Sequence, residues 1–376
     1  MYSRQSSKRR RVGSKTIPDL VPSRPAASQT SCPLFTVIPA EIRNRIYAFS
    51  LESEDVSNED SPRSLYRRHE FYYRPGYKQP KRIHTALLQT CQQIYNEASL
   101  LPPAVNEHTF WFYRPPPHVK NASSPLEYFR KMTPKQRAQV HHLHFFTQQF
   151  FLDDRPWSWV WEGLQMDDGG RSMRGECRIA PKKMTITLRH TDWWLWENND
   201  PLGIDPFRPN RTCAALMGEA VGPHAAQRAW GNQFSHIPTL EELVIEFETI
   251  MRKRDQLDAI IQQARHWKFP LQADKSLYLV AEPSSKRAYT WIGAKEVELS
   301  RQAHFARRLA RAETGLASQP VQKQELAPAV PTLKPFDPQS SLNGGTLLGS
   351  DPTFDPKTDE EFYVVFLTWR KQLAEE

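Results

Sequence analysis

The sequence predicts an α/β (or α+β) chain in which N-terminal helices precede irregular helix–strand units forming a mainly parallel, degenerate repeat-like sheet. Three observations carry the fold class. Strand-like runs recur at VHHLHFF, MTITLRH, LEELVIEFE, SLYLVAE and AYTWI, with helical or turn-rich stretches between them. One of those stretches, DQLDAIIQQARHW, sets Leu257, Ile260, Ile261, Ala264 and Trp267 on one helical face. Several strands also open alike. Val140-x-x-Leu143-x-Phe145 and Leu240-x-x-Leu243-x-Ile245 fit the start of a leucine-rich repeat, and Pro181-x-x-Met184-x-Ile186 is a looser echo. Their starts are 41 and 59 residues apart, wider than the about 20–29 residues of a regular repeat.

Taken in order, residues 1–31 are rich in Ser, Arg, Lys and Pro and bury too little apolar surface to offset ordering entropy, so a disordered basic tail is expected. Within it Lys8, Arg9, Arg10 and Arg11 form a cluster of the kind that nuclear-import receptors read; a merely solvated tail is the other reading. Order is expected from about residue 32. Pro39 suits a first helical turn, and Ile38, Ile42, Ile46 and Phe49 then make an apolar stripe beside a wet face of Glu41, Arg43, Asn44 and Arg45. Residues 52–84 break the pattern and read as an inserted loop. A second helix, TALLQTCQQIYNEASLL, follows and is expected to stop at Pro102-Pro103, before a short strand TFWFY.

The αβ body is expected over 115–314. Ser124-Pro125-Leu126-Glu127 has a capping-box layout, Thr133-Pro134 opens another turn, and residues 295–312 read as a helix with a basic end. Residues 315–358 contain seven prolines and read as a disordered linker. EFYVVFLTW, within 359–376, reads as a buried strand returning to the body.

Composition narrows the function. The net charge is +8, but residues 1–30 hold seven Lys/Arg against one Asp, so the remainder is close to neutral. A basic folded face of the nucleic-acid-binding kind is therefore not implied, and a nuclear regulatory or nucleic-acid-associated protein acting through the basic tail remains the alternative. No apolar run is long enough to span a bilayer, and no N-terminal apolar stretch suits a secretory signal, so nucleus or cytoplasm is the expected address. Cys32, Cys91, Cys177 and Cys213 are scattered, with no Cys-x-x-Cys pair, and reduced thiols are expected.

Chemistry-bearing patterns are sparse. The sequence lacks GxxxxGK[ST], GxGxxG and G-x-S-x-G, so no catalytic residue and no cofactor is assigned, and an enzyme is not expected. His142 and His144 would share a strand face and could chelate a metal if His190 or Asp192 supplied a third ligand, which makes a metal-dependent enzyme a minor alternative. Polar positions satisfied by hydrogen bonds are the plainer reading, and no metal is assigned. Six of the eleven tryptophans fall between 157 and 196. Alternation puts Trp157, Trp159 and Trp161 on one side of an extended segment, either as an aromatic groove or as core.

The residues at the front carry a resemblance. Ile38-Pro39-Ala40-Glu41-Ile42, Ile46-Tyr47 and Leu88-x-x-Cys91-x-x-Ile94-Tyr95-x-Glu97-Ala98 resemble the F-box-like proteins abundant in filamentous fungi. The resemblance covers 33–51 and 85–114, within a segment 32–114 split by the 52–84 insertion, and Ile94-Tyr95 stands where a tryptophan is often seen. It implies a non-catalytic protein-interaction module: a substrate adaptor that docks on Skp1 and presents an unknown substrate for ubiquitin ligation. The implied partner-binding residues are Ile38, Pro39, Ile42, Ile46, Leu88 and Ile94. Packing of these helices on their own domain is the competing expectation.

Overall fold

The computed structural model describes residues 26–56, 74–77, 81–115, 125–153, 179–208, 229–272, 276–295, 332–337, 357 and 359–373. The chain opens with α1 (Pro33–Thr36) and α2 (Ala40–Leu51). Next, β1 (Glu54–Asp55) pairs antiparallel with β2 (Lys81–Arg82), which draws the two ends of the inserted segment together. A 3-10 turn (Thr85–Gln89), α3 (Gln92–Ala98) and α4 (Leu101–Val105) lead into β3 (Glu107–Trp111). Then come α5 (Pro125–Arg130), α6 (Pro134–Arg137), β4 (His142–Phe146), α7 (Gln149–Asp153), β5 (Lys183–Leu188) and β6 (Glu242–Ile250). The described elements close with α8 (Arg254–Ala264), β7 (Lys268–Pro270), β8 (Leu277–Ala281), β9 (Arg287–Ala294), β10 (Lys334–Pro335) and β11 (Asp359–Leu373).

The helix expected over residues 85–101 is broken. Cys91 is extended (φ −155°, ψ 160°), and its Sγ accepts a hydrogen bond from the Ile94 N–H, so it caps α3 rather than continuing a helix. Pro102 and Pro103 occupy the first turn of α4, where a missing N–H costs nothing. They start a helix instead of ending one. The turn read at Thr133-Pro134 carries a complete capping box with Gln136.

Nine of the described strands form a mixed α/β sheet, in the order β10-β9-β11-β6-β5-β4-β3, with β8 also on β11 and β7 on β8. The stretch β3-β4-β5-β6 is parallel, as the repeat-like starts predict; the rest is antiparallel, so the sheet is mixed and not mainly parallel. The difference comes from β11, which runs against β6 along one edge and against β9 and then β8 along the other. An apolar run signals burial on both faces but not strand direction. The three repeat-like openings do lie side by side: Leu143, Met184 and Leu243 align in one row, and Phe145, Ile186 and Ile245 in the next. Lys334–Pro335, inside the stretch expected to be a linker, pairs with Thr290 and Tyr289 at the sheet edge.

Those rows face the main core, which α8 covers with Leu257, Ile260, Ile261 and Ala264, as its periodicity predicts. Trp267, Trp369, Phe269 and Trp230 fill one end of it. A separate small cluster joins the N-terminal helices: Tyr47 and Leu51 of α2 against Ile94 and Ala98 of α3. Because Leu51 is fully enclosed there, Leu51→Ala is expected to destabilise this unit by about 2–5 kcal/mol. Amide exchange is the check: protection in α2 and α3 should fall while β6 and β11 keep theirs, and uniform loss would show that the cluster is not a separate unit.

Candidate functional site

Two features of the described residues stand apart from ordinary packing: an apolar stripe turned outward on α2, and a polar face of the sheet sealed by part of the insertion.

On α2, one side is closed by Tyr47 and Leu51, while another carries Ile42 (45% exposed), Ile46 (40%) and Phe49 (78%), with Val37 (75%) just ahead of the helix. Residues 42, 46 and 49 recur at helical spacing, so the exposed apolar atoms form one patch. The helix is held at this angle by Arg43, whose Nε and Nη2 each donate to the Glu97 carboxylate of α3 at 3.0 Å and whose Nη1 donates to the Ile38 carbonyl at 2.8 Å. The motif residues thus separate by role. Cys91 caps, Ile94 and Ala98 pack, Glu97 anchors, and Pro39, Ile42 and Ile46 face outward. Ile38 is half-buried. Ile94 is enclosed in the cluster and Leu88 packs against it, so neither is part of the outward patch, contrary to the expectation for them. Inward-facing and outward-facing apolar positions share one periodicity, which is why the sequence grouped them.

The second feature lies on the sheet face opposite the main core. His142 and His144 share that face, as alternation predicts. His144 Nδ1 lies 2.9 Å from Glu107 Oε1 and 2.8 Å from the Tyr77 hydroxyl, and its Nε2 lies 2.8 Å from Thr187 Oγ1. Thr187 in turn donates to Glu246 at 2.9 Å. Glu246 and Glu248, two residues apart on β6, are bridged by one guanidinium: Arg74 Nη2 donates to Glu246 at 2.6 Å and Nη1 donates to Glu248. Trp291 Nε1 donates to Glu248 at 3.1 Å. Arg74 is 3% exposed. Burial works against its charge, and Glu248 and Glu246 outweigh that, raising its pKa. Burial also opposes ionisation of Glu107, yet His144 and His142 hold its carboxyl well below the ordinary range.

The residues suggested as a third metal ligand do not join this pair. Arg189 takes both carboxylate oxygens of Asp192, and the His190 ring packs on Trp196 and Phe362. Among the described residues no group of three or more His, Cys, Asp or Glu is arranged to hold a metal ion, and no helix is long and apolar enough to cross a membrane. Sequence reasoning missed Arg74 and its two glutamates. The one signal was the polar alternation of Glu246 and Glu248 along β6, which reads equally as a wet strand face. Lys8, Arg9, Arg10, Arg11, Trp157, Trp159 and Trp161 lie outside the described residues, as does the helix expected over 295–312 apart from Lys295.

His190, which is buried, and His142 and Asp153, which are half-buried, contribute a pH dependence. Burial lowers His142 and His190 from 6.5 to about 4. Such groups contribute stability that is present above their unfolded value and lost as pH falls through the folded one, here between 6.5 and 4. Asp153 acts oppositely. Burial raises it from 3.8 to about 7, against the Trp194 indole that donates to it at 2.9 Å. Its contribution is present below 3.8 and lost as pH rises through about 7. Asp153→Asn should therefore steepen the loss of stability in acid and raise stability above pH 7 by on the order of 1 kcal/mol. Urea unfolding followed from pH 4 to 8 tests this; superimposable pH profiles for the two proteins would contradict it.

No family model, curated protein or solved structure matches this chain.

Proposed function

We propose that this protein is a non-catalytic, F-box-like adaptor that docks on Skp1 through α2 and uses its αβ body to hold a protein destined for ubiquitin ligation. The observation carrying this reading is the outward patch of Val37, Ile42, Ile46 and Phe49 on a helix whose other side is already sealed. If the helices served only to close their own domain, Tyr47 and Leu51 would suffice, and three exposed apolar positions at helical spacing would have no role. An amphipathic helix presenting such anchors is a recurrent means of joining two proteins. The resemblance of Ile38-Pro39-Ala40-Glu41-Ile42 and of the α3 motif to F-box-like proteins names Skp1 as the partner. Activity then comes from proximity, by raising the local concentration of a bound protein near a ligase. The basic cluster Lys8–Arg11 favours a nuclear address for this work.

Purified full-length protein mixed with purified Skp1 should co-elute in size-exclusion chromatography as a stoichiometric complex. Separate elution at concentrations well above micromolar would remove the reading.

A further inference from the structure

On the polar sheet face a pair of glutamates and a His–Glu pair are met by the chain's own Arg74 and Tyr77. The described part of the insertion that reaches the sheet, Arg74–Tyr77, is held by two side chains. Arg74 enters the hole between Glu246 and Glu248, while Tyr77 sets its hydroxyl on Glu107 and His144 and its ring edge-on against Trp111 and Phe146. The backbone hydrogen bond described for this strap is internal, from Tyr77 N–H to Arg74 C=O at 3.1 Å. Between the two anchors Pro75 is buried and the chain turns at Gly76 (φ +84°), which is exposed and where an added Cβ would meet nothing within 4 Å. Among residues 74–77, two side-chain anchors, an exposed turn at Gly76 and no described backbone hydrogen bond to the sheet resemble the way a docked linear peptide is held.

The hole is selective by construction. Glu246 and Glu248 sit on the same face of β6, and each is held by a donor from another strand, Thr187 of β5 or Trp291 of β9. The two carboxylates are therefore fixed before the cation arrives. A planar guanidinium has the fork to serve both at once, whereas an ammonium is a point charge. Buried without a cation, the pair would be strongly unfavourable, so the site demands an occupant.

The geometry points to a binding site for an arginine-bearing segment with an aromatic residue three positions later, occupied in this structure by the chain's own Arg74–Tyr77. A segment of a partner protein with that pattern enters by displacing the strap. Naming the incoming segment as that of the adaptor's substrate rests on the function proposed above; the arginine receptor itself does not, and its test involves no Skp1. The tether through β1 and β2 gives the strap a high effective concentration, so an external segment competes weakly with the native chain and binds readily once Arg74 is gone.

Full-length Arg74→Ala is titrated with N-acetyl-arginine amide and N-acetyl-lysine amide while thermal unfolding is followed. The arginine amide should raise the melting temperature of the variant and the lysine amide should not, and Glu246→Gln with Glu248→Gln should cancel the response. If Arg74→Ala is recovered unfolded, refolding yield with each amide is the readout, with the same order expected. A synthetic peptide of residues 71–80 should bind Arg74→Ala about tenfold or more tightly than the same peptide with lysine for arginine. In excess over the unmodified protein it should speed amide exchange at Gly76 and Tyr77. Equal responses to arginine and lysine, no response to either, or unchanged exchange in the unmodified protein at saturating peptide would each overturn the assignment.

Discussion

Ile42→Asp is expected to weaken the proposed Skp1 binding roughly 30-fold or more while leaving the fold intact. Ile42 is 45% exposed in the isolated chain, so its replacement removes little internal packing, and a surface substitution of this kind costs within about 0.5 kcal/mol. Ile and Asp also differ little in helix propensity. In the proposed complex the arithmetic changes. A carboxylate forced into an apolar, desolvated contact loses the packing of the isoleucine and adds the cost of stripping water from a charge. Central contacts of this type are worth about 2 kcal/mol or more, a loss of roughly 30-fold in affinity. Ile46→Asp, one turn on, should behave alike, whereas Tyr47→Asp should unfold the N-terminal unit because Tyr47 is enclosed. Isothermal titration beside thermal melts separates these outcomes. Undiminished binding by Ile42→Asp would place the interface elsewhere.

The largest stability effect belongs to Arg74. Arg74→Ala leaves Glu246 and Glu248 side by side beneath the strap without their cation, and removing one partner of a buried pair typically costs about 3–5 kcal/mol. The penalty arises from the stranded carboxylates more than from lost attraction. Adding Glu246→Gln and Glu248→Gln to Arg74→Ala should therefore recover most of the loss, since neutral amides still meet the Thr187 and Trp291 donors. Non-additivity of this size is the signature of direct coupling. Chemical denaturation of the single, double and triple variants measures it. A triple variant as unstable as Arg74→Ala alone would mean that Arg74 acts through something other than these two carboxylates.

What could be read from the sequence follows from what periodicity encodes. Leu143, Phe145, Met184, Ile186, Leu243 and Ile245 alternate cleanly because one face of their strands meets the core, and those strands were predicted where they occur. The α8 stripe was equally plain. Strand direction was not, since the doubly buried run Phe362–Leu367 has the same composition whether its neighbours are parallel or antiparallel. The break at Cys91 was hidden because Leu88, Ile94 and Ala98 reach the same small cluster from a continuous or an interrupted helix. The candidate surface was half legible. Spacing revealed the apolar positions of α2, but only packing against α3 decides that Tyr47 turns in and Ile42 turns out. Arg74 was invisible: one of five arginines in the 52–84 insertion, far in sequence from Glu246 and Glu248, it carries no periodicity that singles it out.

Hydrogen exchange of the full-length protein with and without Skp1 puts the adaptor role to its most direct trial. Slower exchange concentrated in Val37–Ser50, with the β6 and β11 amides unchanged, is the predicted pattern. A complex that protects some other surface and leaves α2 exchanging as in the isolated chain would contradict it.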